Sequence, residues 1–181
     1  MRNAMRIWFL VMVVVLAGQL SFAQSGVATD VKNAEVQAVA QSDLTSVLND
    51  RALRVVDIEG KYNVGVGVVH RIKTTGADSS SGIEHSDITE VYHVISGSGT
   101  LVTGGVIEDA KPSKPEIVKV VGPSMSGDKA RGGLSREIGP GDVVVIPPNT
   151  PHWFSRINAE MVYLVVRVDP KKVLAPVEGK K

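Results

Sequence analysis

The chain has 181 residues, 43% of them hydrophobic, with 20 Lys and Arg against 19 Asp and Glu and no Cys. That length allows one domain with a real core, and the apolar share is too high for a disordered chain. A near-neutral balance without a basic run leaves no footprint for nucleic acid or an anionic membrane, and the lack of Cys excludes disulfides and thiol chemistry.

Arg2 and Arg6 precede an apolar run over residues 7–17, and Ser21-Phe22-Ala23 follows with small residues two apart. This pattern predicts a secretory signal peptide over 1–23, cleaved after Ala23. The run is far short of the ~20 apolar residues that span a bilayer. The mature protein is expected to be secreted or periplasmic. Taking Arg2 and Arg6 from the 20 basic residues leaves 18 against 19 acidic, so no membrane partner is expected after cleavage.

Residues 24–50 form an N-terminal segment, with 24–33 loose and a short helix over 42–49. Ser42 is its N-cap, Asp43 suits the positive end, and Leu44, Val47 and Leu48 share a face. Strand signals then dominate. Strands are predicted over 53–58 and 62–72, joined by Glu59-Gly60-Lys61, then over 89–95 and 100–103. Further strands are predicted over 116–121, 134–138, 142–146, 152–157 and 161–168. In 62–72, Gly65 and Gly67 share a face that something must approach closely. The tail over 171–181 is Lys-rich and reads as flexible. Short strands with Gly/Pro turns point to a sandwich or barrel over 51–170.

Two stretches carry the chemistry. In the first, His85 stands five residues before Glu90, and Gly97-Ser98-Gly99 follows. In the second, Gly141-Asp142-Val143-Val144-Val145-Ile146-Pro147-Pro148-Asn149-Thr150-Pro151-His152 ends on a histidine. Two imidazoles and a carboxylate, brought together, make a divalent-metal site.

These stretches resemble the two motifs of the cupins, small jelly-roll β-barrels. Glu90 and Gly97 fit the end of the first motif, and His85 fits its second His, which puts Ile83 where the first His would stand. In the rival register His85 and Asp87 are the pair, with too few residues before Glu90. Gly141, Pro147 and His152 fit the second motif; Asn149 replaces an inner Gly and Arg156 a final Asn. The resemblance implies an all-β, cupin-type jelly-roll barrel with a short N-terminal helix, and a divalent ion (Fe, Mn, Zn or Ni) on His85, Glu90 and His152. It also implies a homodimer, whose edge could be the strand over 53–58 or one inside the long connection between the motifs.

Strand alternation puts Glu90 and Tyr92 on one face and His93 on the other, so His93 reads as structural. His70 ends a strand of unfixed register. Tyr92, Tyr163 and Arg167 are candidate contacts for a small-molecule ligand. Arg167 pairs either with a ligand carboxylate or with an internal acid. Two functions follow: a metal-dependent dioxygenase, isomerase or lyase acting on a small organic acid or sugar, or a non-catalytic ligand-binding barrel whose metal is structural or absent. Between Gly97 and Gly141 the ordered part, 116–121, is expected to extend the sheet, while the glycine-rich part, 122–133, either covers the barrel mouth or is a surface excursion with no role.

Overall fold

A computed structural model of the chain describes residues 28–42 and 48–177. The expected signal peptide, and residues 43–47 of the expected helix, lie outside the described residues. Leu48 and Asn49, its last two residues, are extended. The N-terminal helix stands earlier, as α1 (Asn33–Ala40). The Glu35 carboxylate reaches back to accept the Lys32 N–H at 3.0 Å, and Arg54 bonds the same carboxylate at 2.9 Å, tying the helix to the next strand. No helix among the described residues is long and apolar enough to cross a membrane.

The strands in chain order are β1 (Leu48–Ile58), β2 (Tyr62–Arg71), β3 (Gly82–His85), β4 (Thr89–Thr103), β5 (Val106–Glu108) and β6 (Lys111–Pro112). After α2 (Pro115–Val121) come β7 (Ser124–Gly127), β8 (Lys129–Arg131), β9 (Leu134–Ile138), β10 (Val143–Ile146) and β11 (His152–Asp169). Two strands are far longer than their sequence signals suggested. The strands expected over 89–95 and 100–103 are one bent β4, and those over 152–157 and 161–168 are one bent β11.

The bends organise the barrel. The C-terminal part of β11 lies between β2 and the first half of β4, giving a layer β1-β2-β11-β4-β10. The start of β11 lies between β3 and the second half of β4, giving a facing layer β6-β7-β3-β11-β4-β9. All pairings are antiparallel, and the β4–β11 register slips at several points where both strands turn from one layer to the other. Gly97 sits at that turn with φ 75; a Cβ there would lie 2.0 Å from the Glu160 carbonyl oxygen, so only glycine fits.

The core fills the space between the layers. Val69, Tyr92, Val94, Ile146, Met161, Tyr163 and Val165 come from the first layer, and Leu101, Ile138, Phe154 and Ile157 from the second. Each fully buried aliphatic side chain contributes about 1.5–3 kcal/mol. On the outside, α1 lays Val36 and Val39 on Val68 and Val162. The two-stranded β5–β8 sheet covers Trp153 and Val102 with Ile107 and Ala130.

The connection between the motifs reverses its expected roles. The stretch expected as a strand over 116–121 is helix α2, started by Pro115 at its first turn and stopped by Gly122 at φ 78. The glycine-rich stretch is ordered: β7 pairs with β3, the strand that carries His85. The tail also differs from expectation. Asp169 accepts the N–H groups of Val173 and Leu174 at 3.0 and 2.9 Å, and Leu174 is buried against the Gly65 side of β2.

Candidate metal centre

His85 ends β3, Glu90 and Tyr92 alternate inward on β4, and His152 opens β11. Arg167, near the far end of β11, is the register partner of Glu90, while His152 pairs with Ile83 and Thr103. The turn before β11 is pinned to β3: the Asn149 N–H donates to the His85 carbonyl at 2.7 Å, from a backbone at φ 56 that Asn tolerates. The position where Asn replaces an inner Gly is therefore the one that locks the second histidine stretch to the first.

His85, Glu90 and His152 are 4%, 1% and 4% exposed. Nε2 of each imidazole lies 3.4 Å from Glu90 Oε2, and the three ligand atoms all lie within 4.8 Å of one another. His152 Nδ1 is 2.9 Å from the Thr150 carbonyl oxygen. A carbonyl only accepts, so Nδ1 carries a proton, and Nε2 is the nitrogen turned toward the carboxylate. Two imidazole nitrogens and a carboxylate oxygen gathered this closely in a dry site share a cation, a proton or a metal ion. Ligand atoms about 2.1 Å from one tetrahedral ion are about 3.4 Å apart. The donor set thus fits a divalent ion.

Glu90 is held at both oxygens. Arg167 Nε donates to Oε1 at 2.9 Å and the Tyr92 hydroxyl to Oε2 at 2.9 Å. Burial pushes the Glu90 carboxyl up, but Arg167 and the two imidazoles outweigh it and hold it well below the usual carboxylate range. Burial, then the charge on Glu90, push the Tyr92 phenol well above its ordinary value, so it stays an O–H donor. Tyr92→Phe is expected to weaken metal retention roughly 10-fold, as loss of a partner behind a metal ligand does. Competition against a chelator measures it; unchanged retention would deny the hydroxyl any part in holding the ligand.

The other expected residues fall as follows. Tyr163 lies next to Tyr92, ring centroids 4.6 Å apart, and to Phe154 at 5.9 Å. Arg167 takes the internal-acid alternative: besides Glu90 it bonds Asp50 through Nη2 at 2.6 Å and Nη1 at 3.3 Å, and the Val120 carbonyl at 3.4 Å. Burial opposes its charge, yet Asp50 and Glu90 raise its pKa and keep it a cation. Gly67 leaves it room, since a Cβ there would meet Arg51 O at 2.9 Å and Arg167 Nη1 at 3.5 Å. His93 is exposed, and His70 lies on the outer face with Nε2 2.7 Å from Glu160 Oε1. Asp87 is paired with Lys171 at 2.7 Å. Asp50 was missed because it adjoins a segment read as helix, and the role of Arg71, discussed below, because Arg is mostly a surface residue.

Histidine and carboxylate from the first stretch and histidine from the second thus meet inside an antiparallel jelly roll, at one end of its lumen. The barrel is an antiparallel jelly roll, and the two stretches that meet in it are the ones that resemble the cupin motifs. No family model matches this sequence, and no curated protein matches it. Several solved structures are similar to it over part of the chain. One is KdgF from Halomonas sp., 13% identical, matched over 72% of this chain and 87% of that one with a TM-score of 0.44. Another is a cupin protein from Bacteroides fragilis, at 18%, 65%, 72% and 0.37. A third is the Clostridium difficile EutQ protein, at 14%, 70%, 71% and 0.41.

Proposed function

We propose that this chain is an exported, metal-dependent cupin that acts on a small oxygen-bearing ligand, with the ion held by His85, Glu90 and His152. The observation that carries the reading is the convergence of two Nε2 atoms on one carboxylate oxygen, with His152 turned so that Nε2 faces inward. A bound ion supplies Lewis acidity toward a carbonyl or carboxylate oxygen. The chain's own residues do the rest. Arg167 and Tyr92 each fix one oxygen of Glu90, and Thr150 fixes the tautomer of His152. Ile83, on the His85 face of β3 by strand alternation, cannot ligate, so coordination positions stay open to a ligand. Dioxygenase, isomerase and lyase chemistry all fit such a centre.

One observation favours a second reading, a non-catalytic binding barrel. Burial raises the Tyr163 phenol as it raises Tyr92, so neither is a base near neutrality, and no acid/base group beyond the ligand set stands beside them among the described residues. Turnover of a panel of metal-loaded assays against plain binding separates the two. Metal analysis of protein purified from its own compartment tests the shared premise; wild-type protein without metal would remove the centre.

Export rests on Arg2, Arg6 and Ser21-Phe22-Ala23. N-terminal sequencing of exported protein is expected to begin at or near Gln24, and an intact Met1 would show the segment retained. A homodimer is part of the reading, with β1, an edge strand paired only to β2, as a template. A monomer by light scattering at micromolar concentration would remove it.

A further inference from the structure

Five charged side chains, Glu90, Arg167, Asp50, Arg71 and Arg136, lie toward the lumen side of the barrel, and they divide into two kinds. Glu90 and Arg167 are bonded to each other and, through Asp50, form a closed set of two carboxylates and one guanidinium. Arg71 and Arg136 are different: neither forms an ion pair among the described residues.

Arg71 closes β2 on the face that also carries Val69. Its Nε donates to the Tyr163 hydroxyl at 3.1 Å, and its guanidinium carbon stands 4.8 Å over the Phe154 ring. Arg136 comes from the opposite layer. On β9 it shares a face with the core residue Ile138 and pairs in register with Leu101, which pairs with Phe154. Its Nη2 donates to the Thr103 hydroxyl, and its Nε is buried without a hydrogen-bond partner among the described residues. Thr103 sits directly across from His152. One guanidinium is therefore linked to the centre through Tyr163 and Tyr92, the other through Thr103 and His152.

A half-buried cation without a counter-charge is unfavourable, and an unpaired buried donor adds to the cost. Two of them, facing one lumen from opposite walls, are accounted for by an anion that arrives with the ligand. The planar guanidinium fork matches a carboxylate, and the aromatic surfaces of Phe154 and Tyr163 suit a small organic body. Arg167, bound to two acids already, is not available for that role.

We infer that Arg71 and Arg136 form a carboxylate subsite beside the metal centre, so that the ligand of this barrel is a small organic acid rather than a neutral sugar. The inference rests on the metal-centre reading for the placement of the ligand's other end. It does not need that reading for the anion itself.

The experiment uses the full mature chain, with malonate, inorganic phosphate and glucose as probes, titrated by calorimetry with and without added divalent metal. Malonate is expected to bind, with phosphate weaker and glucose silent. Arg71→Met and Arg136→Met are each expected to weaken malonate by roughly 30-fold or more, as loss of one partner of a desolvated charge pair does, while metal content stays at the wild-type level. Arg71→Lys is expected to recover only part of the loss. In the absence of ligand Arg136→Met is expected to melt at or above the wild-type temperature, because it removes a cation whose buried Nε has no partner, while Arg71→Met, which also gives up the Tyr163 bond and the Phe154 contact, is expected to melt lower. At position 136 a purely structural arginine would instead lower the melting point. Glucose binding as well as malonate, phosphate binding more tightly, malonate binding unmoved in both variants, or Arg136→Met melting lower each overturns the subsite. Wild-type protein that binds malonate but no metal overturns the metal centre and leaves the subsite standing.

Discussion

His152→Ala is expected to abolish metal retention in purified protein, with affinity falling by more than about 100-fold. The outer partners of metal ligands cost 10–100-fold when removed, and a direct ligand costs at least that. Among the described residues three donor groups are gathered here, so two would remain, and His85 and Glu90 by themselves are an ordinary imidazole–carboxylate pair. The fold should survive, because the start of β11 stays paired with β3 and β4 through backbone groups. Metal analysis of wild type and variant, each with a melting curve, is the measurement. Equal metal in both would dismiss the site.

Arg167→Leu is expected to cost stability instead. The change leaves Glu90 and Asp50 facing each other without their shared cation. Breaking a buried ion pair from one side costs about 3–5 kcal/mol. The Asp50 side chain is 19% exposed and can rehydrate, which places the expectation in the lower half of that range. At about 2–4 °C per kcal/mol for a chain of this size, the melting point should fall by about 10 °C. The deficit should also depend on pH in chelator-treated protein. In the wild type the Glu90 pKa is held low, so its contribution to stability is present above the unfolded carboxylate value and is lost as pH falls through the folded one. Without Arg167, burial dominates and raises that pKa, so acidification stabilises the variant relative to its own neutral state. The gap between the two proteins should therefore narrow from pH 7 to pH 5. A gap that is constant, or that widens toward acid, would mean that Arg167 is not what keeps Glu90 ionised.

Strand alternation and motif spacing already placed Glu90 and Tyr92 on one side and His93 on the other. Alternation suffices there because side-chain direction along a strand has period two and needs no knowledge of its neighbours; the glycine face of β2 was legible for the same reason. The pairing of His85 with His152 and the left-handed turn at Asn149 were instead implied by the resemblance of two stretches to the cupin motifs. Helix α1 was not, since eight residues with two buried valines leave little periodicity to read, and its stability comes from packing on Val68 and Val162. Helix α2 reads as a strand in isolation: Ile117, Val118, Val120 and Val121 are β-formers, and Pro115 with Gly122 decides otherwise.

Local alternation and residue type were thus enough to read an all-β barrel, and the resemblance of two stretches to the cupin motifs to name the candidate metal set, since both signals are local. The tertiary structure decided which cations are satisfied. Arg167, Arg71 and Arg136 are chemically alike in the sequence, and only the strand register puts two acids against the first and none against the others. That difference is set by contacts between residues scores of positions apart, which no local pattern encodes.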